Sequence, residues 1–387
     1  FFAQQRLMHR AAKALGIDIL DMQRKNLTLP YGVDYRFDQS HGNARPIDCL
    51  NRAAELIDYE ACLREQAATA NDRCRIGVGV SVGAHGNGMF GIRTDITAMM
   101  LKMNDDGSCV LFSGSHEMGN ASITLQKQVV SEVLGLPMEM ISVVSADTEL
   151  TPYQLGDYSS RGAFVSGRAA LLVSEDIRNK LAGFAAELLE TGNADFTFSG
   201  GRATAPDGKS ATIGEIVQFA RHKRFTELIS EKTAASPASV ISYGAHIVKV
   251  RVDTLSGKTE MLDYAAVHDV GRAINPLSVR GQIEGAIQMG AGYALTEGIQ
   301  LDENGRVKNA TLKTYRMLRA NEMPKRLRID LIEEIEPAGP FGAKSIGECS
   351  VVPAAAAVAN AISSAVGCEF NDLPVTPERV LEALKKK

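Results

Sequence analysis

The stretch IGVGVSVGAHGNG, residues 76–88, decides how the chain is read. Valines alternate with glycine or serine through Gly83 and then give way to a glycine-rich tail, so a strand running into a loop is predicted. Before it the apolar spacing is helical; after it strands and helices alternate. This is the clearest boundary in the chain. With a second boundary near residue 240, where the strand pattern resumes, it divides the sequence into residues 1–74, 75–240 and 241–387.

Upstream, FAQQRLMHRAAKAL predicts a helix from Phe2 to Leu15 closed by Gly16. A short helix over 19–25, an irregular stretch over 28–45 and a helix over 49–65 follow, making residues 1–74 a helical connector with an irregular segment. Downstream, strands over 96–103 and 108–113 flank the turn Asp105-Asp106-Gly107. A helix over 123–135 and a strand over 140–148 complete a strand-helix-strand unit, and a helix rich in small residues is predicted from Gly162 to Leu189. The polar segment 191–239, with a short helix over 213–224, reads as a junction between lobes. Two strands around Leu255-Ser256-Gly257 then open a second lobe with a glycine-punctuated helix over 276–297, a strand over 326–334, a loop over 337–347 and helices over 352–366 and 377–384. The expected fold class is α+β: two mixed α/β lobes behind an N-terminal helical connector.

The chain has 387 residues, 45% hydrophobic and 23% charged, enough apolar material for a large core. A net charge of −4 without a basic stripe argues against nucleic-acid binding. No apolar run is read as approaching the roughly 18–20 residues of a membrane span, and the first residues lack a signal-peptide pattern, so a cytoplasmic location is expected. The six cysteines are scattered without metal-ligand spacing and read as reduced thiols. No protein-ligated metal, Walker A or GxSxG segment is present. Phe1 stands where an initiator Met is expected, so a processed or truncated start is expected.

Four segments hold residue types that carry chemistry. PAGPFGAKSIGECS, residues 337–350, fixes an irregular path with glycines and prolines and presents Glu348 just before an alanine-rich helix. On spacing alone, complementing that helix's dipole is the first reading of Glu348. SHEMGNAS, residues 115–122, is a strand-to-helix turn whose backbone N–H groups could meet an anion, although the turn needs its glycine in any case. In LGDYSSRGAFVSG, residues 155–167, Ser159, Ser160 and Arg161 converge at a helix entrance, suited either to an anionic ligand or to N-capping by Ser160. HDVGRAINP and GQIEGAIQMGAG, residues 268–276 and 281–292, place Gln282 and Gln288 on a helix whose glycines permit close approach; His268 there reads as a packed core histidine.

Taken in order, these segments resemble the C-terminal half of the molybdenum subunit of the xanthine oxidase family, over nearly the whole chain. That family has an EMGQG-like turn, a loop similar to GDYSSR, paired DVGRAINP and GQIEGA segments, and a terminal GAKGVGE loop. The SSR form is more similar to the bacterial hydroxybenzoyl-CoA reductase, nicotinate dehydrogenase and carbon monoxide dehydrogenase branches.

The resemblance implies a molybdopterin-binding domain of the xanthine oxidase type. Glu348 matches the glutamate that deprotonates a molybdenum-bound hydroxyl for attack on an electron-poor carbon. Gly119, Asn120, Ser159, Ser160, Arg161, Gln282 and Gly347 match cofactor-contacting positions, and Met89 and Phe90 fall near a substrate-lining aromatic. It implies molybdopterin with molybdenum, as the cytosine dinucleotide, with 2Fe-2S and FAD groups on an iron-sulfur subunit and an FAD subunit. Asn120 and Ala121 replace Gln and Gly of the family turn, and Cys349 stands where Pro is commonest. The family's upstream half, with its GGFGxK segment, is not found here, so a second molybdopterin-binding subunit or a missing N-terminal half is implied. The expected activity is oxidation of an N-heterocycle, an aldehyde or a related small molecule; an aryl-CoA dehydroxylating reductase and a non-catalytic scaffold or cofactor-insertion relative are the alternatives.

Overall fold

The computed structural model describes residues 1–35, 38–92, 94–192 and 195–387, so Arg36, Phe37, Asn193 and Ala194 of the stretches 28–45 and 191–239 lie outside the described residues. The N-terminal part contains α1 (Phe2–Leu15), α2 (Ile19–Asn26), the paired strands β1 (Val33–Asp34) and β2 (Gln39–Ser40), α3 (Pro46–Ile57) and α4 (Tyr59–Ala68). Then come β3 (Cys74–Gly86), β4 (Ile96–Met103), β5 (Cys109–Ser113), α5 (Ser122–Leu134), β6 (Ile141–Ser145), α6 (Gly167–Leu189), β7 (Thr197–Ser199), β8 (Arg202–Thr204), β9 (Ser210–Thr212), α7 (Ile213–Arg224) and β10 (Ile229–Ala235). The last part holds β11 (Ile241–Asp253), β12 (Thr259–Asp269), α8 (Pro276–Leu295), β13 (Arg326–Ile332), α9 (Ala354–Val366) and α10 (Pro377–Lys385).

Of the two four-stranded sheets, the first has the order β10-β4-β5-β6 and the second β13-β12-β11-β3, beside the small sheets β1-β2 and β7-β8-β9. In the first, β5 and β6 are parallel across α5, as the strand-helix-strand reading expects. Met99, Leu101, Leu111 and Ile141 from its strands pack with Val129 and Val130 of α5 and Ala170, Val173 and Ile177 of α6.

Three expectations are corrected. The strand after Arg75 does not begin the first lobe: β3 pairs antiparallel with β11 along its whole length, from Cys74 opposite Asp253 to Gly86 opposite Ile241, and belongs to the second sheet. The stretch 191–239 is no mere junction, because β10 pairs with β4 from Ile229 opposite Lys102 to Ala235 opposite Ile96. Single-sequence periodicity registers neither pairing, since each joins segments far apart in the chain. The helix expected over 49–65 is two helices: Asp58 takes a left-handed φ of 51°, ending α3, and its carboxylate accepts from Ala61 N to cap α4.

The alternation of 76–83 now has a cause. Val78, Val80 and Val82 point to one face of β3, where they pack with Cys49, Leu50, Ala53 and Ile57 of α3. Glycine on the other face lets α9 lie directly on the strand. A Cβ at Gly77 would stand 2.0 Å from the Ala361 carbonyl oxygen, and one at Gly79 would stand 2.1 Å from that of Ala357. Every residue of α9 except Ser364 is buried. The segment Glu348–Val366, 19 residues with mean hydropathy 1.6, is in fact long and apolar enough to cross a membrane, contrary to the sequence reading; 83% of it is buried inside the fold, as a core helix requires.

Gly79→Ala is expected to destabilise the protein by about 1–3 kcal/mol, because backbone rather than a flexible side chain must give way. Gly183→Ala, on α6 where a Cβ meets nothing within 4 Å, should instead stabilise by about 0.5–1 kcal/mol through helix propensity. Urea unfolding midpoints of the two variants check both signs.

Candidate active site

The loop 337–350 is held by a buried ion pair. Lys344 Nζ lies 2.6 Å from Asp269 Oδ2 and 2.7 Å from the Asn43 carbonyl oxygen, and both charged side chains are fully buried. Asp269 also accepts from Arg45 N at 3.0 Å. Burial pushes the Asp269 carboxyl up from its ordinary value, and Lys344 opposes that shift. Backbone bonds from Lys344 N to Val270 O and from Arg272 N to Gly342 O lace the same two segments together. Ser345 continues the anchoring, since its N donates to Asn87 Oδ1 at 2.6 Å and its hydroxyl accepts from Phe164 N.

Beyond this anchor the loop presents Glu348. Ser160 Oγ donates to Glu348 Oε2 at 2.7 Å and accepts from Glu348 N at 2.9 Å. The other carboxylate oxygen, Oε1, lies 3.5 Å from His85 Nε2. The side chain is 47% exposed, so the carboxylate is oriented without being sealed. Ser159 and Ser160 both have φ of 47°, a left-handed bend that aims the two hydroxyls apart: Ser159 Oγ donates to Gly88 O.

Two connected cavities open beside Glu348. One, of about 740 Å³, is lined by Asn120, Arg272, Asn275, Lys344 and Ser345 among others. The other, of about 890 Å³, contains Glu348, Met118, Tyr158 and Met289. Asn120, Ser160, Gly162, Gln282 and Gly347 line both, making one cleft. Gln282 Nε2 reaches Gly119 O at 3.4 Å. The structure thus gathers Glu348, Gly119, Asn120, Ser160, Gln282 and Gly347. Ser159, Met89 and Phe90 line a separate depression of about 620 Å³ together with His85.

Arg161 and the turn 115–122 are both held by contacts within the chain. Arg161 is fully buried, and its guanidinium donates to Asp95 Oδ1, Gly156 O and Ile96 O at 2.7 to 3.0 Å, so it braces the loop; the residue also lines the cavity that contains Glu348. In the turn 115–122, Gly119 N and Ala121 N donate to Glu117 Oε1 and Ser122 N to Asn120 Oδ1, while Ile123 N just beyond it donates to Glu117 Oε2. Gln288 is likewise structural, donating to Leu318 O.

His85 was missed because a single histidine at a strand end carries no spacing signal. A buried chain was missed as well. Tyr264 Oη lies 2.9 Å from His246 Nδ1, His246 Nε2 lies 2.8 Å from His268 Nε2, and His268 Nδ1 lies 3.9 Å from Cys349 Sγ, whose thiol donates to Ser242 O. With both imidazoles neutral, one direction satisfies every hydrogen: Tyr264 to His246 to His268 to Cys349 to the Ser242 carbonyl. Burial pushes His268 down to about 3, and burial with the neighbouring His268 holds His246 well below the usual imidazole range. Among the described residues no group of three or more His, Cys, Asp or Glu side chains could hold a metal, and the six cysteines are all free.

The molybdopterin cofactor-binding domain profile matches residues 52–324. The chain is 29% identical to the xanthine dehydrogenase molybdenum-binding subunit of Escherichia coli O157:H7, over 98% of this chain and 51% of that protein. It is 28% identical to the carbon monoxide dehydrogenase large chain of Hydrogenophaga pseudoflava, over 99% of this chain and 50% of that one. Quinoline 2-oxidoreductase from Pseudomonas putida 86 has the same fold, with a TM-score of 0.91 at 25% identity over 99% of this chain and 51% of that structure. The chain belongs to the molybdopterin cofactor-binding domain family, among the molybdenum-binding subunits of xanthine oxidase type. It spans about half the length of these relatives.

The residues present fit such a cofactor. A Cβ at Gly162, which lines both cavities, would meet nothing within 4 Å, leaving backbone open to a flat ligand. Amides of Asn120 and Gln282, the Ser160 hydroxyl and the Arg272 side chain border the cleft, a donor and acceptor set suited to a pterin edge and a phosphate.

Replacing Lys344 by Met leaves Asp269 without its partner and should cost about 3–5 kcal/mol, largely recovered by adding Asp269→Leu; denaturant melts of the single and double variants read this. A second expectation concerns acid. His9, lowered to about 4 mainly by burial, joins His246 and His268 in staying neutral when folded. Below about pH 6.5 the unfolded chain binds protons that the folded chain refuses, so stability falls on acidification by about 1.4 kcal/mol per pH unit per histidine. Unfolding free energies at pH 7 and pH 5 measure it, and a flat profile would mean that these imidazoles are not held neutral.

Proposed function

We propose that the chain forms the part of a molybdenum hydroxylase that carries the catalytic base, with Glu348 in that role. The observation that carries the reading is the convergence at this carboxylate: Oε2 is fixed by the Ser160 hydroxyl, Oε1 is left to take a proton, and the cleft opens beside it. A general base must be oriented and within reach of the proton it removes, and the Ser160 contacts provide the first condition. Gly119, Asn120, Ser160, Gln282 and Gly347 would hold molybdopterin, as the cytosine dinucleotide, along the cleft, with Ser159 bracing the loop that carries Ser160. When bound, that group supplies the oxygen-transfer and electron-accepting chemistry.

The substrate class that suits such a base is an electron-poor carbon of an N-heterocycle, an aldehyde or a related small molecule. A second molybdopterin-binding polypeptide, or a preceding segment of the same one, would close the open side of the cleft. An iron-sulfur subunit bearing 2Fe-2S and a subunit bearing FAD would carry electrons away.

The test is Glu348→Gln in the assembled complex. Turnover is expected to fall roughly 10²- to 10⁴-fold while the molybdenum content of the purified complex stays unchanged. Full turnover in this variant would reduce the chain to a scaffold.

A further inference from the structure

The row of β3 residues facing α9 runs Gly77, Gly79, Ser81, Gly83, His85. The glycines must be small because the helix and its approach lie against them; a Cβ at Gly83 would stand 2.5 Å from Val352 Cγ2. At His85 the row has passed the first turn of α9, which begins at Ala354. A large side chain fits there, and the imidazole extends past the helix end to the turn holding Glu348.

The hydrogen bonding of this ring is directional. Nδ1 lies 3.1 Å from Gly86 O, which only accepts, so Nδ1 carries a hydrogen. In the neutral ring Nε2 is then a bare acceptor, 3.5 Å from Glu348 Oε1. The Ser160 hydroxyl already occupies Oε2. Two lone-pair atoms, Nε2 and Oε1, therefore face each other, an arrangement that is favourable only with a proton between them. Contacts of this kind are commonly long before the reacting complex forms. His85 also lines the depression shared with Met89, Phe90 and Ser159, whereas Glu348 lines the cleft, so the pair connects the two openings.

The geometry points to His85 as the proton-relay residue of this site. The proton taken up by Glu348 leaves Oε1 for His85 Nε2: one O–H bond breaks, one N–H bond forms, the carboxylate is regenerated and an imidazolium results. The imidazolium gives the same Nε2 proton to water in the adjoining depression, keeping the hydrogen on Nδ1, so both His85 and the base reset without passing the proton back through the cleft. This relay rests on Glu348 acting as the base.

Nitrogen-15 NMR of the histidine-labelled chain, without cofactor, is the first test, with the His85 resonances assigned through His85→Gln. A hydrogen on Nδ1 is expected, and Glu348→Gln should move the Nε2 resonance while leaving Nδ1 in place. A bare Nδ1 with hydrogen on Nε2 would overturn the relay, leaving His85 as a donor that merely positions the carboxylate. The second test uses the assembled complex at constant molybdenum content. His85→Gln should slow turnover by about 10²-fold, and added imidazole should restore turnover to His85→Ala. Wild-type turnover in His85→Gln beside a crippled Glu348→Gln overturns the relay and keeps the base. Full turnover in Glu348→Gln removes the base, and the relay with it.

Discussion

The close contact between the glycine face of β3 and the alanine face of α9 is the constraint on which the rest of the structure depends. Backbone meets backbone there: carbonyl oxygens of Ala357 and Ala361 occupy the positions where Cβ atoms of β3 would otherwise stand. Close packing of this kind has little tolerance, because interiors are as dense as organic crystals and a single methyl group is felt. It sets the depth of α9 against the second sheet, and the turn holding Glu348 leads directly into that helix. The position of the carboxylate is thus inherited from a strand whose own first member lies more than two hundred residues earlier.

The remaining freedom of the loop is removed by polar contacts that bind the sequence segments to one another. Lys344 and Asp269 join the terminal loop to the end of β12. Ser160 joins the serine loop to Glu348, and Gln282 joins α8 to the turn at Gly119. A buried ion pair contributes little net stability, since the desolvation of both charges offsets their attraction. Its effect here is registry: Lys344 has one place to put its charge, and the loop follows. Arg161 has a similar role, holding the serine loop against Asp95 at the start of β4.

Beneath Glu348 the hydrogen-bonded series from Tyr264 to Cys349 fills a space that an apolar core would fill with leucine. Gly244 lies opposite His268 in the register and leaves room for its ring; a Cβ there would stand 2.1 Å from His268 Cε1. Every buried donor in the series has an acceptor, so the polar core is satisfied rather than strained. Cys349 thereby ties the residue next to Glu348 into the sheet.

By itself the sequence determined which elements form. Periodicity is local, so the helix Phe2–Leu15, the strand-helix-strand unit and the helix Ile213–Arg224 were all legible, while Glu348, Asn120, Ser160 and Gln282 were pointed to by the family resemblance that the order of the motifs carries. Tertiary structure alone decided which elements pair and which side chains reach the cleft. The sheet membership of β3 and β10 depends on partners remote in the chain. At Arg161 the sequence records a charge but not its direction, and the buried Asp95 pairs with it. His85 had no motif around it; only the end of α9, three-dimensionally adjacent to the strand, gave its ring the space and the partner that make it part of the site.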